Sequence, residues 1–178
     1  FNFDIEPETA AAIRKNLDKL DSVSEERILL EFKKAWTKGA ANSARLIDLL
    51  YETGIGEILF GFSFRPQSVV IEGEEDKVMG NFIAFFLNGG NYEKLRPTNE
   101  MVQYLKLAQA AIKNDTPVHE YAGNQRDKLP LIIDVLDQLD YREKALNIQR
   151  ALELPLSAKE LDITGHDLMK AGYKGQEI

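Results

Sequence analysis

Apolar residues recur at three- and four-residue intervals along nearly the whole chain, and that period predicts helices. Residues 6–20 form the first predicted helix, with Pro7 at its first position, where a missing N–H costs nothing, and Ile13, Leu17 and Leu20 as its stripe. Ser24 is placed to cap a second helix running to about Lys38, with Ile28, Phe32, Ala35 and Trp36 on one face. A third begins at residue 40, turns Leu46, Ile47 and Leu50 inward and is stopped by Gly54; Ile58-Leu59-Phe60 follows as a short apolar turn.

From Gly61 to Lys77 the pattern breaks. Val69-Val70-Ile71 is a brief β-branched run, and Glu72 to Asp76 reads as an exposed acidic loop without the alternating spacing of a calcium loop. Helical spacing resumes over about 77–88, through Met79, Phe82, Ile83 and Phe86, and ends at Gly89-Gly90. Thr98 caps the next helix, whose buried side is Met101, Leu105, Ala108 and Ile112. Asn114 to Gln125 is a polar connector. Leu129 to Leu139 is strongly apolar, with Pro130 tolerable in its first turn. Asp140 and Glu143 suggest a capping box for a helix carrying Tyr141, Ala145, Ile148 and Leu152, ended by Pro155. The expectation is an all-α fold, an irregular helical array divided into 1–39, 40–113 and 114–178, with no repeat or low-complexity tract.

The last stretch, Leu161 to Ile178, is different in kind: a very short helix between turn devices. Thr164 can cap it, Asp167 completes a capping box three residues on, and Gly172 stands where a left-handed residue would stop it. Gly175 opens what reads as another helix. Such a helix–Gly-x-x-Gly–helix hairpin offers backbone N–H groups to a phosphate, with His166, Lys170 and Lys174 as further donors. A plain helix-capping hairpin is the alternative.

Composition narrows the chemistry. The 178 residues are enough for one domain or two small ones, 44% of them hydrophobic and 29% charged. The absence of cysteine excludes disulfides and thiolate-bound metals, and it fits the cytoplasm. No run of 18 apolar residues speaks for a membrane span. The chain opens on Phe-Asn-Phe rather than Met, as expected of a piece of a longer protein. Net charge is −7, awkward for a nucleic-acid partner, but residues 114–140 concentrate six carboxylates against two cations. Local patches could still hold RNA, with weak non-specific sticking.

Catalytic constellations are missing. His166-Asp167 has only His119 as a further histidine, too few for a metal-dependent phosphohydrolase. No Gly-x-Ser-x-Gly elbow, Walker loop or Asp-x-Asp strand is present, and Asp134 with Asp137 sit on a predicted helix surface.

Two motifs carry a resemblance. Ser24, Glu26, Arg27, Ile28 and Glu31 fit the form I-S-x-E-R-I-x-x-E-(L/F), after an entry FNFDIEPETAAAI in which Asn2 replaces a common glycine. Ile163, Gly165, Asp167, Leu168, Gly172, Gly175 and Ile178 fit I-x-G-x-D-L-(x)₃-G-(x)₂-G-x-x-I, with Gln176 in place of the usual proline. Between them, ARLIDLLYETGIGEILF is similar to a third family segment. The chain thus resembles the neck, body and tail of the class II tRNA nucleotidyltransferases, the CCA-adding enzymes and the related bacterial poly(A) polymerases.

The resemblance implies a non-catalytic, tRNA-binding part of an enzyme whose catalytic head, with magnesium and its CTP and ATP substrates, lies upstream. No cofactor is implied for this chain itself. By the same resemblance Glu26, Arg27 and Glu31 support the nucleotide pocket of the head, Arg27 being held between the two carboxylates. Thr164, Gly165, Lys170, Gly172, Lys174 and Gly175 would grip the acceptor-stem and T-arm backbone. A solvated ion pair for Arg27 and Glu31, a solvated Lys170 and a solvated Arg45 are the plainer alternatives. For the whole chain the alternative is a stand-alone helical protein-interaction module.

Overall fold

The computed structural model describes residues 4–62, 64–113, 117–156 and 158–172, and among them only helices, short 3₁₀ turns and irregular segments occur. The neck opens with α1 (Pro7–Lys15), which has Pro7 in its first turn. The predicted single helix over 6–20 ends early, because the Asn16 side chain donates to the Ala12 carbonyl at 2.8 Å and a 3₁₀ turn, Leu17–Ser22, takes over. Helix α2 (Glu25–Thr37) is capped by Ser24 as expected, and buries Leu29, Phe32 and Trp36. Its buried stripe is therefore turned towards Leu29, leaving Ile28 and Ala35 half-buried at the border.

Helix α3 (Ala40–Thr53) stops at Gly54, whose left-handed φ of +79° suits a glycine. The apolar turn expected beyond it is a further helix, α4 (Ile55–Phe60), with Leu59 and Phe60 buried and Ile58 exposed. An extended strap then leads to α5 (Glu74–Phe86). Glu74, Glu75 and Asp76 are not a loop. They form the first turn of α5, where carboxylates complement the positive end of the helix dipole.

The strap has no neighbouring strand among the described residues, yet Val69 and Ile71 are buried. Two side-chain amides replace the missing ladder. Asn81, 1% exposed on α5, accepts from the Val69 N–H and donates to its carbonyl, both at 3.3 Å. Gln138 does the same for Val70, accepting at 2.8 Å and donating at 3.0 Å. Buried backbone groups need such partners.

Beyond α5 come α6 (Asn99–Lys113), α7 (Val118–Ala122), α8 (Leu129–Gln138), α9 (Arg142–Ala151) and α10 (Gly165–Lys170). Thr98 accepts from the Met101 N–H at the start of α6, as its sequence predicts. The connector expected to be polar throughout contains α7, because Val118 and Ala122 lie four apart and reach the core. The capping box expected at Asp140 and Glu143 does not form. Asp140 adopts a left-handed φ of +63° to turn the chain between α8 and α9, so Tyr141 precedes α9 with no side-chain cap.

Helix α5 sits between two cores. One side packs Ile83, Ala84 and Leu87 against the strap and α6 to α9. The other packs Phe82, Phe85 and Phe86 against Phe32 and Trp36 of α2 and Phe60 of α4. In this second core the Phe85 ring meets Phe32 edge-on at 5.4 Å and Phe60 at 5.8 Å, an arrangement favoured by the ring quadrupoles.

Candidate nucleic-acid interface

Helix α2 turns Arg27, Glu31 and Lys34 outward, because positions four and seven apart share one face and the opposite face is filled by Leu29, Phe32 and Trp36. Leu30 stands beside that outer stripe at 57% exposure. The geometry does not hold Arg27 between Glu26 and Glu31. Arg96, from the 3₁₀ turn Tyr92–Leu95 and the residue after it, reaches the start of α2 and binds both Glu25, at 3.0 Å from its Nε, and Glu26. Lys34, one turn along α2, takes Glu31 at 2.8 Å. Arg27 is exposed and makes no direct ion pair or side-chain hydrogen bond among the described residues, although its charge still acts on the Glu31 carboxyl.

These partners set the local ionisation. The backbone N–H of the first helical turn, then the Arg96 guanidinium, hold the Glu26 carboxyl below its usual range. Hydrogen bonding from Lys34 lowers that of Glu31.

In the tail the predicted capping box is present. Thr164 Oγ1 accepts from the Asp167 N–H at 3.3 Å, and the Asp167 carboxylate accepts from the Thr164 N–H at 3.0 Å and from its hydroxyl at 2.6 Å. These bonds lower the Asp167 pKa, the hydroxyl contributing most. They also place a negative charge at the N-terminus of a six-residue helix, where it complements the helix dipole. The helix start expected at Gly175, whose N–H groups the sequence offers to a phosphate, lies outside the described residues.

Thr164, Gly165, His166 and Lys170 are all exposed, and Gly172 takes a φ of +96° as the stop residue. Lys174 and Gly175 lie outside the described residues. Leu161, Ile163 and Met169 are exposed on the same segment, at 48%, 54% and 56%.

Sequence reasoning missed the long-range anchors. Arg126 ties the root of the tail, donating to the carbonyls of Leu152 and Leu154 at the end of α9 and to Glu160 at 2.7 Å. It sits at the edge of a segment read as polar connector, and nothing local distinguishes it. Among the described residues no three His, Asp or Glu side chains converge as metal ligands, and no helix is long and apolar enough to cross a membrane.

Fold and surface together define an all-α array with an outward-facing, partly cationic helix at its neck. Residues 2–65 match the family described as "Probable RNA and SrmB-binding site of polymerase A". The match covers the neck motif and α1 to α4, and it supports the poly(A) polymerase side of the resemblance. No curated protein and no solved structure matches the chain.

Proposed function

We propose that this chain is the tRNA-binding, non-catalytic part of a class II nucleotidyltransferase, one that adds CCA or poly(A) to RNA 3′ ends. The observation that carries the reading is the coincidence of the polymerase A match over residues 2–65 with the Ser24-to-Glu31 motif on an exposed helix face. The catalytic head, with magnesium, CTP and ATP, belongs to the parent enzyme, which works in the cytoplasm. Arg27, exposed and without a direct ion pair among the described residues, is available to a partner surface rather than to an internal lock. In the parent that partner is the head, and Arg27→Ala lowers turnover or nucleotide discrimination while tRNA affinity is kept. Lys170 and Lys174, with Thr164, Gly165, Gly172 and Gly175, are the residues proposed to meet the tRNA backbone, the lysines as point charges.

The test is tRNA affinity of this chain at several salt concentrations. A steep fall of affinity with salt is expected, because phosphate contacts release counterions. Lys170→Glu with Lys174→Glu should weaken binding and flatten the slope, with an unchanged far-UV circular dichroism spectrum. Absence of tRNA binding at low salt would overturn the reading. It would favour a helical protein-interaction module, which the exposed Leu161, Ile163 and Met169 support.

A further inference from the structure

A pocket of about 350 Å³ is lined mostly by the segment similar to the polymerase A RNA-binding site, from α3, α4 and the start of the strap, with Pro66 and Phe85 contributed from beyond it. Leu50, Gly56 and Phe62 form its apolar wall, and the Phe62 ring is itself fixed against Phe85 at 5.1 Å. Two polar residues, both exposed, complete the lining. Tyr51 lines the pocket while remaining 68% exposed. Glu57 also lines it, and its carboxylate has no ion-pair or hydrogen-bond partner among the described residues. Two guanidinium groups belong to, or donate to, residues next in sequence to lining ones, though neither lines the pocket. Arg14 donates to the carbonyl of Glu52, the residue after Tyr51, at 2.7 Å, and Arg65 precedes Pro66, another wall residue, while paired with Asp48.

This combination selects a ligand class. A purely aliphatic group would fill the apolar wall but leave the Glu57 carboxylate partly desolvated and unpaired, which is unfavourable. A phosphate would be repelled by the same carboxylate. A nucleobase satisfies both parts, with its face against Tyr51 and the apolar wall and its edge towards Glu57. An ionised carboxylate only accepts hydrogen bonds, so it favours edges that donate. Guanine offers two adjacent donors on its Watson–Crick edge, adenine and cytosine one exocyclic amine each. Uracil offers a single N–H between two carbonyl oxygens, which face the carboxylate unfavourably.

We propose that this pocket takes one unstacked base of single-stranded RNA, guanine in preference and uracil least. The proposal rests on the RNA-binding reading above and adds to it a base-selective subsite. The test uses fluorescence anisotropy with labelled oligouridines of about twelve nucleotides, within the span one small module covers, each carrying G, A, C or U at the centre. A structured tRNA serves as a separate probe of backbone binding.

The central-G oligomer should bind tightest. Tyr51→Ala should weaken it by about tenfold, as loss of one base–aromatic stack does, while the folded spectrum is kept because the side chain is largely exposed. Glu57→Gln should reduce the preference for G over U, weakening the central-G oligomer while the all-U oligomer binds as well as before or better. If tRNA is bound but the four oligomers bind alike, or both variants match the parent chain, the pocket proposal is overturned and the RNA-binding reading stands. If neither tRNA nor any oligomer binds, both are overturned.

Discussion

The neck and the tail are both short helical segments with a designed N-terminal cap, yet they are held in opposite ways. Helix α2 has a Ser24 cap and also a face of Leu29, Phe32 and Trp36 buried against α5. Helix α10 has a better cap, a complete Thr164–Asp167 box, and no buried residue. Capping is worth about 1 kcal/mol, whereas burying one large side chain contributes about 1.5–3 kcal/mol. The difference teaches that a cap sets where a helix starts, while burial decides whether it is held in place. It also locates the two parts of the proposed interface: an outer face on a rigid support at the neck, and a locally stabilised arm at the tail.

The comparison can be broken most forcefully at Phe85. Phe85→Ala removes the ring that touches Phe32, Trp36, Phe60 and Phe62, and should destabilise the neck core by about 3–5 kcal/mol in urea unfolding. The tail should keep its local capping box in the folded fraction. A loss below about 1 kcal/mol would mean that the neck is not held by this core.

Asn81→Leu should cost less, about 1–3 kcal/mol, because it strands the Val69 N–H and carbonyl in the interior. Hydrogen exchange at Val69 is the direct measurement, and unchanged protection there would remove Asn81 as the strap's anchor. Thr164→Ala should lower the stability of α10 alone by about 1 kcal/mol, seen as faster exchange at the Asp167 amide, with the global urea midpoint unchanged. A shifted global midpoint would show that the tail is packed into the body after all.

The smallest effect is a pH dependence confined to the tail. The Asp167 pKa is lower in the folded segment than in the unfolded one, so its contribution is fully present above the unfolded value and is lost as pH falls through the folded value. An NMR titration should therefore show the Asp167 amide losing its capped shift only in acid, below the ordinary aspartate range. Thr164→Ala should move that midpoint upward, and a midpoint that stays put would separate the carboxylate from the cap.

What was legible in the sequence was what neighbouring residues decide. Ser24 before an apolar-periodic run, Thr98 before Met101, Thr164 three residues before Asp167, and Gly54 and Gly172 as stops are local patterns, and the structure forms each of them. The all-α class followed from the same periodicity. The early end of α1 at Asn16 and the helical α4 and α7 were lost because short segments carry few periods.

The candidate site was less legible for a different reason. Glu26 could be seen to want a cation, but Arg27 next to it points elsewhere, and the partner is Arg96, 70 positions away. Gln138 and Val70 are 68 apart, and Arg126 and Leu154 are 28 apart. No spacing rule reaches such pairs. The pocket beside Tyr51 has the same origin: its wall joins α3, α4 and the strap to a ring from α5, and only the assembled chain shows that Glu57 faces it.

Helix α5 has one more consequence. Because it gives Phe82, Phe85 and Phe86 to one core and Ile83 and Ala84 to the other, neither half of the molecule owns a complete interior. The 2–65 segment that sequence comparison treats as a unit is therefore not a unit of folding. Cut out after residue 65, it would present Phe32, Trp36 and Phe60 to water, and a transplant into another protein would have to carry α5 and the start of α6 with it to arrive folded.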